Sequence, residues 1–286
     1  MDAHDHGLAA DLEAMMNMGS TRRRSLRWLL AGAATLPLIA CGGGSDSTST
    51  GSSSSSSGSS TGTGSSGSTT GSCTVIPEET GGPYPGDGTN SNASGIVNVL
   101  TQTGVVRSDI RSSFNGASGT AAGIPLTIKL KIVNANNSCG AAGEFAVYLW
   151  HCDREGRYSL YSSGVTDQNY LRGVQGADAN GDLSFTTIFP GCYDGRMPHV
   201  HFEVYRSLAQ STSASNRIKT SQFTFPMATL NEVYATSGYS SSASNLARIS
   251  YATDNIFSDG YSLQLVTISG NVTDGYVATL TVAVAA

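Results

Sequence analysis

Residues 42–72 consist of glycine, serine and threonine at every position except Asp46. A 31-residue run of this kind has almost no apolar surface to bury, so nothing offsets the entropy of ordering it. The run therefore divides the chain, and any fold must be built from what lies to either side. As a random coil it would span about 30 Å end to end. Downstream lie 214 residues, 73–286, an acceptable length for one all-β domain. The low overall charge (13% Asp, Glu, Lys and Arg, formal net −5) comes partly from this run, with its single charged residue. No basic stripe exists to neutralise phosphates, which argues against a nucleic-acid partner.

Upstream, TRRRSLR (21–27) is a twin-arginine pattern, followed by a 13-residue apolar run, 28–40. That run contains Pro37 and is too short to span a bilayer as a permanent helix. It ends in LIAC (38–41), which resembles a bacterial lipobox. The reading is an export signal over 1–41 whose Cys41 becomes lipidated, then a flexible tether over 42–72, then a folded domain over 73–286. The expected location is the cell envelope, with membrane contact only through the lipid. Gly42 offers no inner-membrane retention aspartate, which favours the outer membrane. His4 and His6 precede the signal and would be discarded with it.

The domain itself reads as all-β. Leu126, Ile128, Leu130 and Ile132 alternate with Thr127, Lys129 and Lys131, the period-two pattern of a half-buried strand. Further strands are expected at 145–150, 183–188, 199–205, 222–225, 263–268 and 276–284, with turn residues between them. Only 229–236 reads as helical. The expected fold is an antiparallel β-sandwich. Cys73, Cys139, Cys152 and Cys192 are an even set in an exported chain, compatible with two disulfides. The expected pairing is Cys73–Cys139 with Cys152–Cys192.

Chemistry concentrates in PHVHFEV (198–204). On a strand, His199 and His201 share a face with Cα atoms about 6.5–7 Å apart, so both imidazoles can meet one metal ion. Val200, Phe202 and Val204 then face the core. The glycine-punctuated loop GCYDGRMP (191–198) supplies Tyr193 and Arg196, and the turn EGRY (155–158) supplies Tyr158. A phenol with an ordinary pKa of about 10 becomes a ligand only on a strongly Lewis-acidic ion. Phenolate oxygens with imidazoles suit Fe(III) better than zinc or copper(I). His151, ending a strand beside Trp150, reads as structural.

Taken together, YLRGVQ (170–175), DANG (178–181), FTTIFPGCY (185–193) and HVH (199–201) resemble the intradiol ring-cleavage dioxygenases, the family of protocatechuate 3,4-dioxygenase and catechol 1,2-dioxygenase. PEETGGPY (77–84) is similar to the family's N-terminal segment. The resemblance covers most of 73–226 and little beyond. It implies a non-haem Fe(III) held by Tyr158, Tyr193, His199 and His201. Tyr193 would be the axial ligand that leaves when substrate arrives, with His199 opposite it and Tyr158 and His201 equatorial. Arg196 would lie over the substrate ring, and Gln222 beside the metal. Thr80, Pro83 and Tyr84 would line the pocket. The implied partners are a catechol-type substrate and O2, and the implied product is a muconate-type dicarboxylic acid. The five residues between Tyr193 and His199 are fewer than in the cytoplasmic enzymes and resemble an exported branch of the family. The competing readings are a non-catalytic envelope lipoprotein that binds a catecholic ligand or a protein partner, and a copper or zinc protein built on His199 and His201.

Overall fold

A computed structural model describes residues 73–286. The expected signal, the lipidated Cys41, the histidines at positions 4 and 6 and the tether all lie outside the described residues. Among the described residues the chain forms eleven strands and two short helices. A hairpin comes first, from β1 (Asp87–Asn92) and β2 (Gly95–Asn98). The remaining strands make two sheets.

The first sheet, called the scaffold sheet below, is ordered β10 (Thr267–Asn271), β11 (Gly275–Val284), β3 (Pro125–Asn134), with β4 (Gly140–Ala141) and β7 (Asp182–Ile188) on β3's other side. In β3 the alternation read from the sequence is realised: Leu126, Ile128, Leu130 and Ile132 are buried, while Lys129 is exposed. One pairing departs from the antiparallel expectation. β11 runs parallel to β3, with Tyr276 against Leu126 through Val284 against Asn134. A parallel pair needs a crossover rather than a tight turn. Here the whole second sheet and both helices intervene between the two strands, so the chain can re-enter from the same end.

The second sheet, called the site sheet, is ordered β6 (Arg172–Gly176), β5 (Ala146–Trp150), β8 (His199–Tyr205), β9 (Arg217–Thr224), all antiparallel. Its inner face carries Val147, Leu149, Val200, Phe202, Val204 and Phe223 against Ile128, Leu130, Phe185 and Val282 of the scaffold sheet. Each such side chain, fully buried, contributes roughly 1.5–3 kcal/mol. Its outer face is also covered, by a second cluster that joins Tyr148, Trp150, Val174 and Tyr205 to Val99, Leu100, Val105, Phe114 and Tyr158.

The helix expected at 229–236 is α1 (Met227–Tyr234), starting directly after Pro226. A second helix, α2 (Ser240–Leu246), was not expected, because SSSASNL has no apolar period. It is held by tertiary bonds, described below. The strand expected at 263–268 begins later, at Thr267. No described helix is long and apolar enough to cross a membrane.

Cys73 and Cys139 form a disulfide with a Cα–Cα distance of 5.8 Å. The second expected bridge is absent: Cys152 and Cys192 are free and buried. They pack into different clusters, Cys152 on the outer side of the site sheet and Cys192 in the main core. Cys152 Sγ faces Gly191 O (3.5 Å) and Cys192 Sγ faces Arg196 O (3.3 Å). Burial pushes both thiols up, Cys192 to about 12, so neither is a ready thiolate.

Candidate metal centre

The register of the site sheet sets the first pair of donors. His199 and His201 lie on the outer face of β8, with the apolar Val200 beneath. His201 stands in a cross-strand row: Arg172 opposes Trp150, Trp150 opposes His201, and His201 opposes Gln222. The Trp150 and His201 rings are stacked, parallel within 1° at 5.0 Å between centroids, which fixes the imidazole plane. His199 Nδ1 lies 2.6 Å from Met197 O, a contact in which the nitrogen must donate, leaving Nε2 as a lone pair. Burial and the nearby Arg196 charge lower the His199 pKa, and burial, His199 and Arg196 lower that of His201, both to well below the usual range. Both rings are therefore neutral.

Two loops bring the tyrosines. After β5 the chain turns on Asp153, whose Oδ1 accepts from Glu155 N (3.0 Å) and Arg157 N (2.9 Å), and so delivers Tyr158. After β7 the 190–198 loop delivers Tyr193. The loops touch where side chains would obstruct them. A Cβ on Gly191 would lie 2.6 Å from Arg154 O, and Gly156, at φ +85°, has Tyr193 Cβ 3.0 Å from where its own would be. As a result Tyr158 Oη lies 3.4 Å, Tyr193 Oη 3.2 Å and His201 Nε2 3.0 Å from His199 Nε2.

The four expected ligands thus converge on one point. Donors sharing an ion at about 2.1 Å lie about 3 Å apart when adjacent, so the observed spacing fits a single metal. In the neutral rings one Nε2–H can donate to the other Nε2 across this 3.0 Å, and a metal ion held by both would displace that proton. Among the described residues no group of three or more His, Cys, Asp or Glu side chains could hold a metal. An ion here rests on a mixed imidazole–phenol set, which suits Fe(III).

The other expected residues also gather here. Arg196 is fully buried; its Nη2 donates to Gln222 Oε1 (2.8 Å) and its Nε pairs with Asp254 (3.0 Å). Gln222 Nε2 donates to Thr80 O (2.8 Å), joining the N-terminal segment to the site. Thr80 Oγ1 accepts from Gly82 N (2.9 Å), and Asn90 Nδ2 donates to Pro83 O. The Tyr84 ring lies 5.0 Å from Tyr158 and 5.2 Å from Tyr161. His151 is structural, as expected: Nδ1 contacts Cys152 O (2.8 Å), Nε2 contacts Thr187 Oγ1 (2.7 Å), and burial lowers its pKa to about 4.

Three contributors escape a reading of the sequence for function. Trp150 reads as core. Arg172 sits inside a motif that assigns it no task. It bonds Ser159 Oγ (3.0 Å), Ser159 O (3.0 Å), Pro85 O (2.8 Å) and Tyr148 Oη (3.2 Å), tying the Tyr158 loop to the N-terminal segment. Asp254 lies in a tail with no motif. A groove of about 620 Å³, lined by Lys129, Lys131, Asp182, Ser184, Thr267 and Thr281 among others, belongs to the scaffold sheet and contains none of the site residues.

Comparison with known proteins bears on the fold and on the span that holds these residues. Residues 104–210 match a family model described as Dioxygenase, a span that holds Tyr158, Tyr193, Arg196, His199 and His201. In three dimensions the chain is similar to an intradiol ring-cleavage dioxygenase from Tetranychus urticae, at 24% identity and TM-score 0.57, over 74% of this chain and 95% of that one. A second crystal structure of a dioxygenase matches at 24% identity and TM-score 0.56, with the same coverage. Among curated proteins none matches. The chain has the fold of an intradiol ring-cleavage dioxygenase, and residues 104–210 match the Dioxygenase family model.

Proposed function

We propose that the protein is a non-haem Fe(III)-dependent intradiol dioxygenase, cleaving a catechol-type ring between its two hydroxyl-bearing carbons with O2. The observation that carries this reading is the convergence of two phenol oxygens and the His201 Nε2 on His199 Nε2, all within 3.4 Å of it. When bound by Tyr158, Tyr193, His199 and His201, a ferric ion would supply the Lewis acidity that draws electron density from a catecholate and opens its ring to O2. The chain's own groups do the rest. Tyr158 is buried and Tyr193 only half-buried. Tyr193 is the more exposed of the two phenols, and its Oη, deprotonated when it holds the ion, would accept a proton from an incoming catechol. The buried Arg196 guanidinium stabilises negative charge developing on the ring, the electrostatic role that is commonly the largest in such catalysis. Tyr84, Tyr158 and Tyr161 offer ring faces for an aromatic substrate.

The test is oxygen uptake with catechol, hydroxyquinol, protocatechuate and alkylated catechols, together with the absorption spectrum. The expected protein is red-brown, changes colour when catechol is added and yields a muconate-type acid. A colourless or zinc-bearing protein that consumes no oxygen would overturn the reading in favour of a ligand-binding lipoprotein. Anchoring in the cell envelope through Cys41 is supported only by the twin-arginine and lipobox patterns. Cys41→Ala should release the protein from membranes, and unchanged fractionation refutes the anchor.

A further inference from the structure

The family match ends at residue 210, yet the segment that follows β9 is bonded along the back of the loop carrying Tyr193 and Arg196. Tyr234 Oη donates to Pro190 O (3.0 Å). Cys192 N donates to Ser242 Oγ (2.9 Å), and Asn245 Nδ2 donates to Cys192 O (2.8 Å). Arg248 pairs with Asp194 at 2.9 Å. The deepest of these contacts is Asp254, which is fully buried. Its Oδ2 accepts from Arg196 Nε (3.0 Å) and Met197 N (2.7 Å); its Oδ1 accepts from Ile256 N (2.8 Å) and Phe257 N (3.0 Å). A carboxylate bonded twice at each oxygen has one orientation, and it passes that orientation to the guanidinium.

On its other side the guanidinium meets Gln222, which lies across the ladder from His201. We propose that Asp254 is the positioning residue for Arg196, clamping the guanidinium between itself and Gln222 so that it faces the substrate position beside the metal ligands. This rests on the function proposed above and adds to it a residue from outside the matched domain. A buried ion pair is weak evidence of stabilisation, because desolvation offsets its attraction. Its geometric consequence is stronger: a long side chain with several rotatable bonds is held in one rotamer, and a displacement of about 1 Å at such a group can cost about a hundredfold in rate.

The test is a double-mutant cycle on the iron-loaded protein with Asp254→Asn, Arg196→Ala and the pair, plus Asp254→Glu, which keeps the charge but lengthens the arm. Three quantities are read: iron content, the dissociation constant of 4-nitrocatechol from its absorbance, and kcat with KM for oxygen uptake. Asp254→Asn should keep its iron, bind nitrocatechol about tenfold more weakly and turn over at least about tenfold more slowly, with the loss in kcat exceeding any rise in KM. Asp254→Glu should fall in the same direction, and it carries the comparison should Asp254→Asn fail to fold. In the Arg196→Ala background, Asp254→Asn should cost nothing further. Wild-type binding and turnover in both Asp254 variants, or losses that add fully in the pair, overturn the proposal. A wild type that binds nitrocatechol without consuming oxygen refutes the dioxygenase reading and leaves the binding cycle to decide the role of Asp254. A wild type that does not bind it overturns both.

Discussion

Along β3 of the scaffold sheet, buried residues alternate with partly or fully exposed ones from Pro125 to Ile132, whereas every residue of β5 and β8 in the site sheet is buried. The two sheets share one apolar core and differ in what covers their outer faces. The scaffold sheet leaves its outer face to water and lines it with Lys129, Lys131, Asp182, Ser184 and threonines. The site sheet has its outer face roofed by the N-terminal segment, the 99–114 region and the 151–171 loop. Polar side chains on a roofed face must find partners or shift their protonation. The row Arg172, Trp150, His201, Gln222 is one result, and the metal-binding donors are another. Chemistry in this fold follows from double burial of a sheet rather than from any open cleft.

The sharpest way to break the comparison is to remove a donor from the roofed face. Tyr158→Phe deletes one oxygen and leaves the ring, so the packing against Tyr84 and Tyr193 remains. Iron and colour should be lost, and turnover should drop by more than about a hundredfold, beyond the usual 10–100-fold effect of a group that only supports a ligand. A coloured, iron-replete, active variant would show that Tyr158 is merely wall.

The next largest effect belongs to the scaffold side. The Cys73–Cys139 bridge closes a separation of 66 residues, for which chain entropy gives about 4 kcal/mol. It ties the domain's N-terminus, where Ile76 N donates to Ala283 O on β11, to the turn after β3. Reduction should lower the melting temperature by about 8–16 °C. Oxygen uptake at 25 °C should be unchanged, since no site residue touches the bridge. Parallel loss of activity well below the melting transition would mean that the two faces are coupled.

Much of this division was legible in the sequence. Alternation in 126–132 marks a half-exposed strand, and the HxH pair marks a strand with a polar face turned toward something. The four donors could be named because their residue types at those spacings match a known family. The parallel β3–β11 pair could not be read, because strand order depends on contacts 150 residues apart. Nor could α2, where Ser242 Oγ donates to Arg154 O and accepts from Cys192 N, partners 88 and 50 residues away in sequence. Asp254 has no local signal at all; its meaning lies in Arg196, 58 residues earlier. The Cys152–Cys192 pairing failed because an even count says nothing of which cluster each thiol packs into.

A third prediction concerns a roofed carboxyl. Glu203 shares a face with His201, accepts from Tyr205 Oη at 2.6 Å and is only 1% exposed. Burial, and then Asp87, raise its pKa from 4.5 to about 8. The folded state therefore holds a proton that the unfolded chain releases near pH 4.5. That contribution is complete below pH 4.5 and fades as pH rises through about 8, by up to a few kcal/mol. Glu203→Gln, which is neutral throughout, should flatten the fall in stability over that window as measured by urea unfolding. An unchanged pH dependence would place the titration elsewhere.

The smallest effect is expected on the open face. Lys131 pairs with Asp182 at 3.1 Å across β3 and β7, with both side chains about half-exposed. Water and salt screen such a pair, and ordering two side chains offsets part of what attraction remains, so Lys131→Ala should cost under about 1 kcal/mol. The same reasoning gives no change in iron content, nitrocatechol affinity or turnover, because the substitution stays on the face that water already covers. Urea unfolding and oxygen uptake check both halves together. A change in turnover with stability intact would give the open face a part in catalysis, and the contrast between the two sheets would no longer hold.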